Sequence, residues 1–223
     1  MPFRDRRDAG VRLAAELMRY KAESPVILAL PRGGVPVAAE IATALAAPLD
    51  LILVRKIGAP FEKELAMGAV VDGGEPTIVR NQDVIAMAGI SEAEFQFACD
   101  AELAEIERRR RTYVGERLPV AIVGRTVIVV DDGLATGATM KAALRALRMR
   151  TPSRLVMAVP VAPDDTLADM ASEADDIVCL ENYETFGAIG AFYDDFRQIA
   201  DDEVIALLAA CNAGPQAPPH GAN

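Results

Sequence analysis

The residues best suited to chemistry lie in one run, Val127-Ile-Val-Val-Asp131-Asp132-Gly133-Leu134-Ala135-Thr136-Gly137-Ala138-Thr139-Met140. Four β-branched residues read as a buried strand that delivers two carboxylates at its carboxyl end. A Gly/Thr turn follows and opens a helix, and helix N-termini hold phosphate with their unpaired N–H groups. Gly137 permits close backbone approach or a positive φ. The turn formed by Ala135, Thr136, Gly137, Ala138 and Thr139 can therefore wrap a phosphate with amides and with two threonine hydroxyls. Asp131 and Asp132 suit hydrogen bonds from vicinal hydroxyls, and they can hold Mg²⁺ directly or through water. A phosphate and a diol at that separation describe a ribose 5-phosphate. Taken apart, Asp-Asp-Gly is a turn and Thr-Gly-x-Thr a helix cap. The strand, acid pair and loop in register favour the ligand site.

Two other segments carry charge at strand ends. In Leu30-Pro31-Arg32-Gly33-Gly34-Val35, two glycines bare backbone amides and Arg32 adds a cation. Alone, Arg-Gly-Gly is more often a plain turn. In Leu53-Val54-Arg55-Lys56-Ile57-Gly58-Ala59-Pro60, two adjacent cations need an anionic partner if they are to be buried. The alternative there is a surface hinge.

These segments need a scaffold that brings strand ends together. Apolar runs at 26–30, 49–54, 127–130, 155–159 and 177–180 read as strands. Being continuous rather than alternating, they suit a parallel sheet buried on both faces. Between them, 35–47, the segment after Thr139 and 166–174 (capped by Asp164 or Asp165) carry helical periodicity. Residues 68–79 suggest a hairpin turning at Asp72-Gly73-Gly74. A long helix over 91–117 would bury Phe95, Cys99, Leu103, Ile106 and Tyr113, and a last helix covers 201–211. The expectation is an α/β fold with a doubly wound, mainly parallel sheet flanked by helices. A single domain spans 1–211, with its core at 24–180, a hairpin and long-helix insertion at 68–117 and a small hood at 181–200. Residues 212–223 form a loose tail.

Composition excludes several functions. The chain has 223 residues, 52% of them hydrophobic, and a formal charge of −10, which opposes nucleic-acid binding. Its one basic cluster, Arg108, Arg109, Arg110 and Arg111, reads as a solvated helix face, with a phosphate patch as the minority alternative. Cys99, Cys179 and Cys211 lack metal-ligand spacing. The single His220 sits in the tail, so Ser-His-Asp and Cys-His hydrolysis and His-ligated zinc fall away. No apolar run approaches the roughly 20 residues of a membrane span, and no signal peptide opens the chain. The expected compartment is the cytoplasm.

The run 127–140 resembles the phosphoribosyl-pyrophosphate signature of the type I phosphoribosyltransferases, departing only at Gly133, where a larger aliphatic residue is usual. The resemblance implies that 30–35 is the pyrophosphate loop, often with a non-proline cis peptide, and that Arg32 and the Gly33 and Gly34 amides hold the diphosphate. It implies that the segment from Leu53 begins a mobile catalytic loop carrying Arg55 and Lys56. The implied reaction is Mg²⁺-dependent transfer of a phosphoribosyl group from phosphoribosyl pyrophosphate to a nitrogenous acceptor. A hood would select the base through Tyr183, Phe186, Phe192 and Tyr193, with Asp194 or Asp195; packing of the hood itself is the equal alternative for Phe186 and Phe192. Ala135 stands where enzymes of 6-oxopurines carry Asp, which counts against those bases. The resemblance also suggests a homodimer contacting through 91–117. Two alternatives are a regulatory protein that binds phosphoribosyl pyrophosphate or a nucleotide without turnover, and a phosphorolytic or hydrolytic enzyme of the same ribose-phosphate site.

Overall fold

Asp5 caps the first helix by accepting from the Asp8 amide (2.8 Å). This helix, α1 (Arg6–Leu17), was not expected from the sequence; it buries Leu13, Ala14 and Leu17. In the computed structural model, which describes residues 2–73 and 76–213, the chain then forms β1 (Val26–Ala29), α2 (Gly34–Leu45) and β2 (Leu49–Leu51). Next come β3 (Val54–Ala59), β4 (Glu62–Val71), β5 (Thr77–Arg80), α3 (Gln82–Met87) and α4 (Glu92–Val114). The remainder is β6 (Thr126–Val130), α5 (Ala138–Arg148), β7 (Arg154–Pro163), α6 (Asp164–Met170), β8 (Asp176–Tyr183) and α7 (Asp201–Asn212). Gly74 and the tail from residue 214, with His220, lie outside the described residues.

Five strands pair in the order β2-β1-β6-β7-β8, all parallel. Alternate side chains feed two cores. Ile27, Ala29, Ile128, Val130, Val156 and Ala158 meet α1, α2, α4 and α7, whereas Val26, Leu28, Val127, Val129, Leu155 and Met157 meet α5. Two-sided burial is why these strands read as unbroken apolar runs. The fold is thus the expected α/β sheet flanked by helices, with a small three-stranded antiparallel sheet beside it.

Three boundaries differ from the sequence reading. The run 49–54 is not one strand. Ile52 still donates to the Ala29 carbonyl (3.0 Å), but Leu53 exchanges two bonds with Asp72, at 2.6 and 2.9 Å, and Val54 starts β3 of the second sheet. The segment expected to begin a mobile catalytic loop forms an antiparallel hairpin, β3–β4, irregular around Gly58, and the hairpin expected at 68–79 is present, β4 pairing on with β5. Strand β7 runs on to Pro163 because β8 stays in register through Pro163 and Tyr183. Helix α6 accordingly begins at Asp164, so the two aspartates occupy its first turn rather than preceding it.

The fourth difference concerns charge. Helix α4 is capped by a reciprocal Ser91–Glu94 box and buries Phe95, Cys99, Ile106 and Tyr113 as expected. Its arginines are not all solvated. Arg110 crosses the sheet edge to pair with Asp50 (3.1 Å) and Asp72 (2.8 Å), which are only 1% and 2% exposed. Arg117 and the Val120 amide complete the shell of Asp50. A buried carboxylate stripped of its cation is costly. Arg110→Met should therefore lower unfolding free energy by about 3–5 kcal/mol, read by urea denaturation. Arg111→Met, one position along and exposed beside Glu107, should stay within about 0.5 kcal/mol.

Candidate functional site

The motifs converge where β1 and β6 end side by side. Leu30 donates to the Val130 carbonyl (2.9 Å), and Gly34 donates back to Leu30 (3.0 Å). Pro31–Arg32 is a cis peptide. This turn lies directly on the acid pair. A Cβ at Gly33 would stand 2.0 Å from Asp132 Oδ2, and one at Gly34 would stand 2.7 Å from the Val130 carbonyl oxygen. Neither position admits a side chain, so glycine here is a matter of contact distance with the acids.

Asp131 and Asp132 have different surroundings. Asp132 is buried, and its Oδ2 accepts from Arg6 Nε at 2.7 Å. Its carbonyl accepts from the Tyr193 hydroxyl (2.6 Å), and its amide donates to Asp131 Oδ1 (2.8 Å). Asp131 has no arginine or lysine within ion-pair distance among the described residues. Burial first, then the neighbouring Asp132 charge, holds the Asp131 carboxyl well above the ordinary carboxylate range.

Beyond the pair, the Leu134 amide is anchored to the Val161 carbonyl (2.9 Å) and the Ala135 carbonyl to Thr166 Oγ1 (2.8 Å). Ala135, Thr136, Ala138 and Thr139 are exposed, while Gly137, at φ 67°, is the N-cap of α5. The first amides of that helix have no intrahelical acceptor. The loop thus presents donors to solvent beside the carboxylates. Gly133, the departure from the usual motif, is tightly enclosed. A Cβ there would lie 2.7 Å from Ile189 Cγ2 and 3.1 Å from Val161 Cγ1. The glycine makes room for the hood.

The three expected cations go to different places. Successive strand residues face opposite ways, so Arg55 turns to Glu102 of α4 (2.7 Å) while Lys56 turns toward α5. Lys56 pairs across the hairpin with Glu64 (2.8 Å) and shares a cavity of about 490 Å³ with Ala138, Thr139, Arg80, Lys141 and Arg145. Arg32 pairs with Asp201 (3.4 Å) and lines a small recess with Arg108 and Arg109. Only Lys56 is brought to the loop at 135–139.

Residues 181–200 cover the other side. Tyr183 and Phe186 each stack on Phe192 with centroids 4.8 Å apart. Tyr193 is 3% exposed, set between Phe3 and Phe196. It is therefore packing and anchor rather than an open stacking face. Burial keeps its phenol far above the ordinary value. Asp194 and Asp195 are exposed, and their amides donate to the carbonyls of Phe3 and Arg4 (both 2.9 Å).

No cluster of three or more His, Cys, Asp or Glu side chains fit for a metal occurs among the described residues. Two carboxylates, one already held by Arg6, suit an ion that brings most of its oxygens from a ligand and water. Sequence reasoning missed Arg6, Arg80, Lys141 and Arg145. The last two were legible as an i,i+4 pair on the helix after Thr139; for Arg6 nothing local pointed to Asp132, 126 positions away.

Chemically, the site can hold a phosphate at one end and hydroxyls beside it, on an α/β sheet. Comparison with known proteins points the same way. The phosphoribosyl transferase domain family matches residues 5–197. Proteins of Mycobacterium tuberculosis strains CDC 1551 / Oshkosh and H37Rv, named as candidate phosphoribosyl transferases, are each 44% identical over 206 residues. The match covers 92% of this chain and 46% of theirs, so the chain spans about half the length of these curated relatives. The crystal structure of TT1426 from Thermus thermophilus is 42% identical, with TM-score 0.77 over 94% of this chain and 99% of that one. A Neisseria gonorrhoeae protein solved with bound ppGpp, 15% identical with TM-score 0.50 over 94% and 98% of the two chains, shares the fold alone. The chain belongs to the phosphoribosyl transferase domain family.

Two outcomes follow from the acid pair. A carboxyl whose folded pKa is raised contributes stability that is present below its unfolded value and lost as pH rises through the folded one. Asp131→Asn has no proton to lose. Its Tm should exceed the wild type's by a margin that grows from the ordinary carboxylate range toward neutral pH, measured by circular dichroism. Gly33→Ala, which drives a methyl into Asp132, should cost about 1–3 kcal/mol in the same assay.

Proposed function

We propose that this chain transfers the 5-phosphoribosyl group of phosphoribosyl pyrophosphate to a nitrogen nucleophile, releasing pyrophosphate. The observation that carries this reading is the contact of the Gly33–Gly34 turn with Asp131–Asp132, beside the exposed loop 135–139. Amides for a diphosphate, acceptors for a diol and donors for a 5-phosphate then fall along one ligand.

In this mechanism the loop fixes the 5-phosphate, and Asp131 and Asp132 fix the ribose hydroxyls. The anomeric carbon is thereby presented to the diphosphate turn on one side and the acceptor on the other. As the C–O bond loosens, negative charge grows on the leaving group, and the amides of Gly33 and Gly34 stabilise it without reorganising. Asp131 and Asp132 are the residues that would hold Mg²⁺, which neutralises diphosphate charge when bound. The β3–β4 hairpin carries Lys56 toward the ligand and excludes water on closing. Its tip bears Phe61, 67% exposed, an apolar side chain that closure would cover. The acceptor is a nitrogenous base held under the hood by Phe186 and Phe192. Arg55 and Arg32, both paired within the protein, act by holding the hairpin and the diphosphate turn in place.

A second reading, ligand binding without turnover, draws on those same pairings: Lys56 and Arg55 are both neutralised by glutamates. Calorimetry with phosphoribosyl pyrophosphate and Mg²⁺ tests both. Micromolar-range binding by the wild type should be lost in folded Asp131→Asn/Asp132→Asn; no binding by the wild type sinks the site. A screen of bases for pyrophosphate release should then find turnover that Lys56→Ala lowers by about 10²-fold or more. Tight binding with no release from any base would favour the regulatory reading.

A further inference from the structure

Arg6 holds more of the site together than its distance in sequence suggests. Its Nε donates to Asp132 Oδ2 (2.7 Å), Nη1 donates to the Arg197 carbonyl (2.9 Å), and its guanidinium carbon lies 3.8 Å from the centre of the Phe196 ring. Both side chains of the ion pair are about nine-tenths buried. The oxygen it grips is the one that would meet a Cβ at Gly33, so Asp132 is clamped between an arginine and the diphosphate turn. On its other side, the same residue's carbonyl is held by Tyr193.

A surface ion pair would need no such shell. A buried charge does, because each unsatisfied group in a low-dielectric setting is expensive. Arg6 directs one donor to Asp132, another to the hood backbone, and its flat face to an aromatic ring. That combination fixes the guanidinium plane and, with it, the carboxylate.

We propose that Arg6 is a positioning residue for ribose recognition. It holds the Asp132 carboxylate in one orientation, with Oδ1 left to accept a ribose hydroxyl, and ties that orientation to the hood. This inference rests on reading Asp131 and Asp132 as the diol-binding pair. The phosphate loop at 135–139 is held by other contacts, through Val161 and Thr166, and is independent of Arg6.

The test compares two probes by calorimetry: ribose 5-phosphate, which needs loop and acids, and inorganic phosphate, which needs the loop alone. Arg6→Gln should weaken ribose 5-phosphate about tenfold, as expected for a disturbed charged hydrogen bond, and leave inorganic phosphate unchanged. Arg6→Lys, which keeps the cation, should recover most of the loss. Equal weakening of both probes, no weakening of either, or a lysine variant no better than glutamine each overturns the proposal. Should Arg6→Gln fail to fold, Arg6→Gln/Asp132→Asn carries the test, since it buries no unpaired charge. It must bind ribose 5-phosphate as well as Asp132→Asn alone does; a further loss shows that Arg6 does not act through Asp132. A folded wild type that binds inorganic phosphate but not ribose 5-phosphate overturns the ribose reading, and this inference with it, by a separate outcome.

Discussion

Two carboxylates on consecutive residues at the end of a buried strand repel one another. At an effective dielectric near 20, unit charges about 4 Å apart cost about 4 kcal/mol. Much of the surrounding structure offsets that repulsion. Arg6 pairs with one acid, burial and the neighbouring charge raise the pKa of the other, and the Asp132 amide donates to its neighbour. Each solution imposes a further demand. Arg6 requires α1 to dock at the sheet end, its guanidinium requires Phe196 and the Arg197 carbonyl, and the carboxylate it grips requires glycine at position 33. Helix, hood and the Gly33–Gly34 turn are thereby locked to the same few atoms.

The antiparallel unit is governed by a different seam. Where the chain passes from β2 to β3 and returns at the end of β4, Leu53 and Asp72 exchange backbone and side-chain bonds. Asp50 and Asp72 converge on Arg110 at this crossing. A buried ionic knot sits at the root of the hairpin, whose own ladder from Val54 to Ala59 is continuous apart from irregularities around Gly58. Pleating then divides the labour of neighbouring cations. Arg55 braces the hairpin against α4, and Lys56 faces the cavity it shares with Ala138 and Thr139.

What could be read from sequence was what depends on local pattern. Parallel strands announced themselves as unbroken apolar runs because both faces are covered, and the acid pair and glycine loops sit at their ends. The strand at 49–54 was overextended because Ile52 and Leu53 are buried without continuing the parallel sheet. Arg6 and Arg110 were invisible for a shared reason. Each is one arginine among several, and only helical phase marks it out: Arg6 falls in line with Gly10, Leu13 and Leu17, Arg110 with Ile106 and Tyr113. A charge on the apolar stripe of an amphipathic helix is the sign of a buried partner elsewhere. The partner itself, more than a hundred positions away in the case of Asp132, is fixed by the fold alone.

The close approach at Gly133 constrains how this sequence can change over evolutionary time. Ile189 occupies the volume that a side chain at position 133 would need, and Val161 closes the remaining space. A lineage that acquires a branched aliphatic at 133 must therefore shift the backbone from its φ of 156° and also trim position 189 or lift the hood segment that carries it. The two positions form a volume-conserving couple, and substitution at one should appear across descendants in the company of a compensating change at the other.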